Sequence, residues 1–145
     1  MIGGATITLA DSAGVSGGSW GADGNIILGA EQAGLSRVSA AGGKAEVLTK
    51  PDPKKGERNH NFPEILPGGQ AVLFTIGVGA PFDDSKIAVL SLKTGEQRVL
   101  VEGGTSARYV PTGHLACRVA VCDSVRPARP TGDRITRPRG GYKAW

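Results

Sequence analysis

The sequence predicts an all-β chain, a partial β-propeller of two to three four-stranded antiparallel blades, and three observations carry that prediction. First, SWGADGNIIL at 19–28 returns in weaker form as EILPGGQAVLF at 64–74 and RYVPTGHLAC at 108–117. The turn glycines Gly24, Gly69 and Gly113 are 45 and 44 residues apart. A repeat of this length, with a strand on each side of a Pro/Asp–Gly turn, is the pattern of one propeller blade. Second, 23 glycines and 9 prolines against 5% aromatic residues call for many tight turns, and no long segment has the spacing of an amphipathic helix. Third, Val72, Phe74 and Ile76 alternate with Ala71, Leu73 and Thr75, so both faces of that strand are largely apolar. That suits a sheet held between two other sheets.

Taken in order, ATITLA at 5–10 is a short β-branched strand and is assigned, within residues 1–14, to the end of a preceding blade. Residues 15–50 form the first blade. Its inner strand ends at Ser19 and Trp20, Ala22-Asp23-Gly24 turns, and 25–29 returns. Strands at 35–40 and 45–49 follow, joined through Gly42 and Gly43, which supply positive φ. Residues 51–104 form the second blade, reached through the polar connection KPDPKKGERNH at 50–60. Its strands are 61–66, 70–76, 86–92 and 97–101, the last two joined by Lys93-Thr94-Gly95-Glu96. Residues 105–121 begin a further blade, with 119–121 as a brief strand candidate. The predicted buried set is Ile26, Leu28, Val72, Phe74, Val89 and Leu100.

The net charge of +4 is not spread evenly. Residues 1–117 hold 10 Lys/Arg and 11 Asp/Glu, a net of −1, whereas 118–145 hold 7 and 2, a net of +5. The repeat body therefore lacks the basic stripe that a specific nucleic-acid surface needs. Residues 122–145 read as a basic Arg/Pro-rich tail without a packed core. A natural linker and a shifted reading frame both produce such a composition.

No apolar run reaches membrane-spanning length, and no signal-peptide pattern opens the chain. Cys117 and Cys122 are the only cysteines and no paired ligands accompany them, so neither a metal nor a cofactor is expected.

Catalytic patterns are present only in outline. Gly14-Val15-Ser16-Gly17-Gly18 and Gly17-Gly18-Ser19-Trp20-Gly21 match G-x-S-x-G, but a working nucleophile turn joins a strand to a helix, and here a hairpin follows. The reading is non-enzymatic. Asp83 and Asp84 are too few for a Ca²⁺ site. Lys54, Lys55 and Arg58 form a small basic cluster in a polar connection. Trp20, matched by Ile65 and Tyr109, reads as a residue packed between blades. His114 matches Asn25 and Gln70 on a strand. His60, flanked by Asn59 and Asn61 at the start of an inner strand, lies where propeller loops line a mouth. The candidate ligand- or partner-binding residues are Arg58, Asn59, His60, Asn61 and Arg108.

GGSWGADGNIIL, GLSRVSAAGGKAEVLT, FPEILPGGQAVLFTIG, DDSKIAVLSLKTGEQRVLVEGG and ARYVPTGHL, over roughly residues 5–116, resemble the TolB-type, WD-repeat-like propeller repeats of bacteria. They are most similar to the extracytoplasmic propeller that follows the kinase domain in some bacterial serine/threonine kinases. The resemblance implies an arc of a six-bladed propeller, extracytoplasmic, acting as a sensor or scaffold that binds protein or a small ligand. The alternative it leaves open is the propeller of an exported prolyl-oligopeptidase-like hydrolase, with its catalytic residues elsewhere. It also implies self-association, or further blades in a longer chain. No kinase motif accompanies it: HRD, DFG and a Gly-rich loop with a strand lysine are absent.

Overall fold

The computed structural model describes residues 14–79 and 84–118, and the backbone of 133–136. The expected strand at 5–10, the candidate at 119–121, Phe82, Asp83 and Cys122 lie outside the described residues.

Two four-stranded antiparallel meanders follow one another. The first is β1 (Val15–Trp20), β2 (Asn25–Ala30), β3 (Ser36–Ser39) and β4 (Glu46–Val47), each paired with the next. A 3-10 turn at Pro53–Lys55, capped by Asp52, interrupts the polar connection. The second meander is β5 (Asn59–Ile65), β6 (Ala71–Gly77), β7 (Lys86–Ser91) and β8 (Gln97–Glu102). A third begins with β9 (Thr105–Val110) and β10 (His114–Arg118).

In each of the first two blades an opposite-charge pair links the third and fourth strands. Arg37 faces Glu46 at 2.6 Å on β3 and β4, and Lys86 faces Glu102 at 3.9 Å on β7 and β8. Within the stretch read as a coreless tail, β11 (Asp133–Thr136) pairs with β10, where the third strand of a blade belongs. Composition gave no sign of it.

The core consists of two apolar layers, one at each junction between blades. Ile27 and Leu35 of the first blade meet Val72, Phe74, Ile76, Ala88 and Leu90 of the second. Leu73, Ile87 and Val89, on the opposite face of the second blade, meet Ala107, Leu115 and Cys117 of the third. Successive residues of a strand point to opposite faces, so β6 can serve both layers.

This arrangement corrects part of the predicted core. Val72, Phe74 and Val89 are buried, whereas Leu100 is half-buried and Ile26 and Leu28 are only half-buried beside a fully buried Ile27. The hairpin registers explain it. Trp20 pairs with Ile26, but Ile65 pairs with Val72, because the second blade's turn is one residue longer. Ile26 and Leu28 are thus the counterparts of Val72 and Phe74. In the second blade that face is covered by the first; in the first blade no described residues cover it.

Candidate binding grooves at the two ends of the blades

Each inner strand carries one residue in the left-handed region. These are Gly17 (φ 96°), Phe62 (φ 51°) and Ser106 (φ 52°), spaced like the turn glycines. The pairing registers of β1 and β5 with their neighbours break at these points, between Val15 and Gly18 and between Asn61 and Glu64. The β9–β10 ladder breaks between Ala116 and Arg118, opposite the segment that holds Ser106. Such a bulge bends a strand and re-aims its side chains. A phenylalanine in this region is unusual, since the left-handed conformation costs an L-residue roughly 1–2 kcal/mol.

Next to the bulges the blades are stitched together by a repeated hydrogen bond. Ser19 Oγ accepts from Ile65 N–H at 2.9 Å, and Glu64 Oε2, at the same place in the next blade, accepts from Tyr109 N–H at 3.1 Å. The Ser19 hydroxyl is therefore a structural acceptor between strands. Ser16 lies on the same strand, so neither serine has the helix that a nucleophile turn requires. Arg108 is third in this series and, as a donor-only side chain, cannot continue it. Its guanidinium lies 3.9 Å from Glu64 Oε2.

The five candidate residues separate into three places. Arg58, Asn59 and Asn61 line one groove of about 260 Å³, shared with Thr75, Ser85 and Thr105. The Asn61 amide, with its nitrogen turned toward the carbonyls of Ala30 (3.1 Å) and His60 (3.2 Å), faces Asn59 through its oxygen at 2.8 Å. Arg108 extends from β9 toward Glu64, whose residue lines a second groove of about 910 Å³ at the hairpin-turn end with Trp20, Asp23, Ile65 and Tyr109. Asp23 Oδ2 accepts from the Asn25 amide at 2.7 Å and Oδ1 from Asn25 N–H at 3.1 Å, and these bonds lower its pKa.

His60 belongs to neither groove. It is fully buried at the joint between blades, where Ala30 pairs with it and its N–H donates to Ala33 O at 3.0 Å. Thr49 Oγ1 accepts from Leu35 N–H at 2.7 Å and lies 2.6 Å from His60 Nδ1. The Glu57 carboxylate, 3.5 Å from Nε2, favours the neutral tautomer with its proton on Nε2, in which the threonine hydroxyl donates to Nδ1. Burial lowers the pKa of this histidine, and the nearby Glu57 carboxylate opposes that in part. Gly29 makes the joint possible: a Cβ there would stand 2.9 Å from His60 O.

Trp20 is 66% exposed, whereas Ile65 and Tyr109, its counterparts, pack into the two junction layers. His114 Nδ1 and Thr112 Oγ1 are 3.0 Å apart. Lys55 lies 3.9 Å from Asp52 while Arg58 lines its groove, so the basic cluster divides. Among the described residues no three His, Cys, Asp or Glu side chains converge as a metal site, and no helix is long and apolar enough to cross a membrane.

Sequence reasoning missed Thr75 within β6, Ser85 just before β7 and Thr105 at the start of β9, which lie 10 and 20 residues apart in the chain and carry no motif. It also missed Thr49 and Glu57 as partners of His60. Only the polar character of their positions beside apolar strands marks them.

No protein-family model matches the chain, and no curated protein matches it. A solved structure described as a TolB from Agrobacterium tumefaciens superposes with a TM-score of 0.64 at 12% identity, over 88% of this chain and 46% of that one. The tricorn protease superposes with a TM-score of 0.55 at 13% identity, over 72% of this chain and 10% of that one. This chain thus spans less than half the length of either. At such identities the likeness is one of fold, and the fold is that of a partial TolB-type β-propeller.

Proposed function

We propose that this chain is a non-catalytic arc of a larger propeller that serves as a protein- or ligand-binding sensor or scaffold module. The observation that carries the reading is the unmatched first face: Trp20, Ile26 and Leu28 are exposed or half-buried, while their counterparts in the second blade sit beneath a neighbouring blade. A face of this kind calls for further blades, from a longer chain or from a second copy. Its ligand contacts are assigned to the groove holding Arg58, Asn59 and Asn61. The resemblance to the extracytoplasmic propellers of receptor-like kinases supports the sensor role and an extracytoplasmic location.

A second reading, the propeller of an exported hydrolase, draws support from the likeness to the tricorn protease. In that reading too the catalytic residues lie outside this chain.

Light scattering at high micromolar concentration tests the arc. The expected mass exceeds the 14.9 kDa monomer, and Trp20→Ser shifts it toward the monomer. A strictly monomeric mass for the unaltered chain would count against the reading.

A further inference from the structure

We infer that the groove between the second and third blades is a binding site for a small oxyanion, a carboxylate or phosphate group. This rests on the binding-module reading above and names the chemistry of its ligand. The groove gathers donors. Arg58 is exposed, forms no ion pair among the described residues, and runs its side chain along the backbone of Gly79, whose φ is 113°. Ser85 is 1% exposed, yet its hydroxyl has no hydrogen-bond partner among the described residues. A buried hydroxyl left so is costly, and a ligand acceptor would satisfy it. Thr75 Oγ1 accepts from Ser106 N–H at 3.0 Å, which leaves its own proton to be donated elsewhere. Thr105 adds a third hydroxyl, itself 3.5 Å from Ser106 Oγ.

No carboxylate lines the groove among the described residues. A guanidinium above several hydroxyl donors, with no carboxylate among the described lining residues to neutralise it, suits an anion with several acceptor oxygens. The volume of about 260 Å³ lies just under the roughly 300–1,000 Å³ of sites for drug-sized ligands. It therefore fits a single anionic group, or the anionic end of a longer molecule.

The test is calorimetric titration of the whole chain with inorganic phosphate and, separately, with succinate, at constant ionic strength. Saturable binding of at least one anion is expected. Arg58→Gln should weaken it at least tenfold and Ser85→Ala several-fold without lowering the melting transition, while Lys93→Gln, on a distant turn, leaves it as it was. Tighter phosphate binding points to a phosphate-bearing ligand, and tighter succinate binding to a carboxylate. Saturable binding of neither anion, or equal affinity in the unaltered chain and Arg58→Gln, overturns the inference. A chain that associates through the Trp20 face yet binds neither anion refutes the oxyanion site and leaves the propeller arc standing. Anion binding by a strictly monomeric chain does the reverse.

Discussion

The Ser19 hydroxyl accepts the backbone N–H of Ile65 across 2.9 Å, linking the inner strand of one blade to that of the next. Glu64 makes the same link to Tyr109. A hydroxyl and a carboxylate thus fill one role at equivalent positions. Removing the first leaves a part-buried N–H without its partner.

Ser19→Ala is therefore expected to lower folding stability by about 1 kcal/mol, read from denaturant unfolding. The same variant and Ser16→Ala should leave any background ester hydrolysis unchanged. A clear activity lost on either substitution would restore the nucleophile reading.

The bulge at Phe62 gives a second expectation. Phe62 is 39% exposed, whereas Phe74 is 1% exposed. Phe62→Gly gives up little packing and relieves a φ of 51°, so it should leave stability within about 1 kcal/mol. Phe74→Ala, which empties the junction layer, should cost about 3–5 kcal/mol. Similar losses for the two would contradict the strained-bulge account.

His60 makes stability depend on pH. Its folded pKa lies below 6.5, chiefly through burial, so the unfolded chain binds a proton that the folded chain does not. The contribution is complete above pH 6.5 and is lost as pH falls toward the folded pKa. Unfolding free energies measured from pH 7.5 down to 5 should decline, and His60→Gln should flatten that part of the curve. An unchanged slope in His60→Gln would show that another group titrates.

Much of the architecture was legible because a blade repeats its punctuation. Gly24, Gly69 and Gly113 all take positive φ at matching turns, and the apolar alternation of β6 correctly announced a strand buried on both faces. The offset between β2 and β6 was not legible. It depends on whether Gly68 and Gly69 both belong to the turn, which the φ values of 92° and 68° reveal and the residue types do not. Nor could the sequence distinguish Ile26 from Val72, since what separates them is a neighbouring blade. As for the candidate site, Arg58, Asn59 and Asn61 could be read from their place at the start of an inner strand. Its hydroxyls could not, because Thr75, Ser85 and Thr105 meet only when three strands of two blades are brought together.

The central claim is that successive inner strands lie side by side as adjoining blades. Through-space NMR contacts test it most directly. The account predicts cross-peaks from the Ser19 side chain to the Ile65 amide and from the Glu64 side chain to the Tyr109 amide, with slow hydrogen exchange at both amides. Absence of both contacts with rapid exchange at these amides, or helical contacts across 70–76, would contradict it.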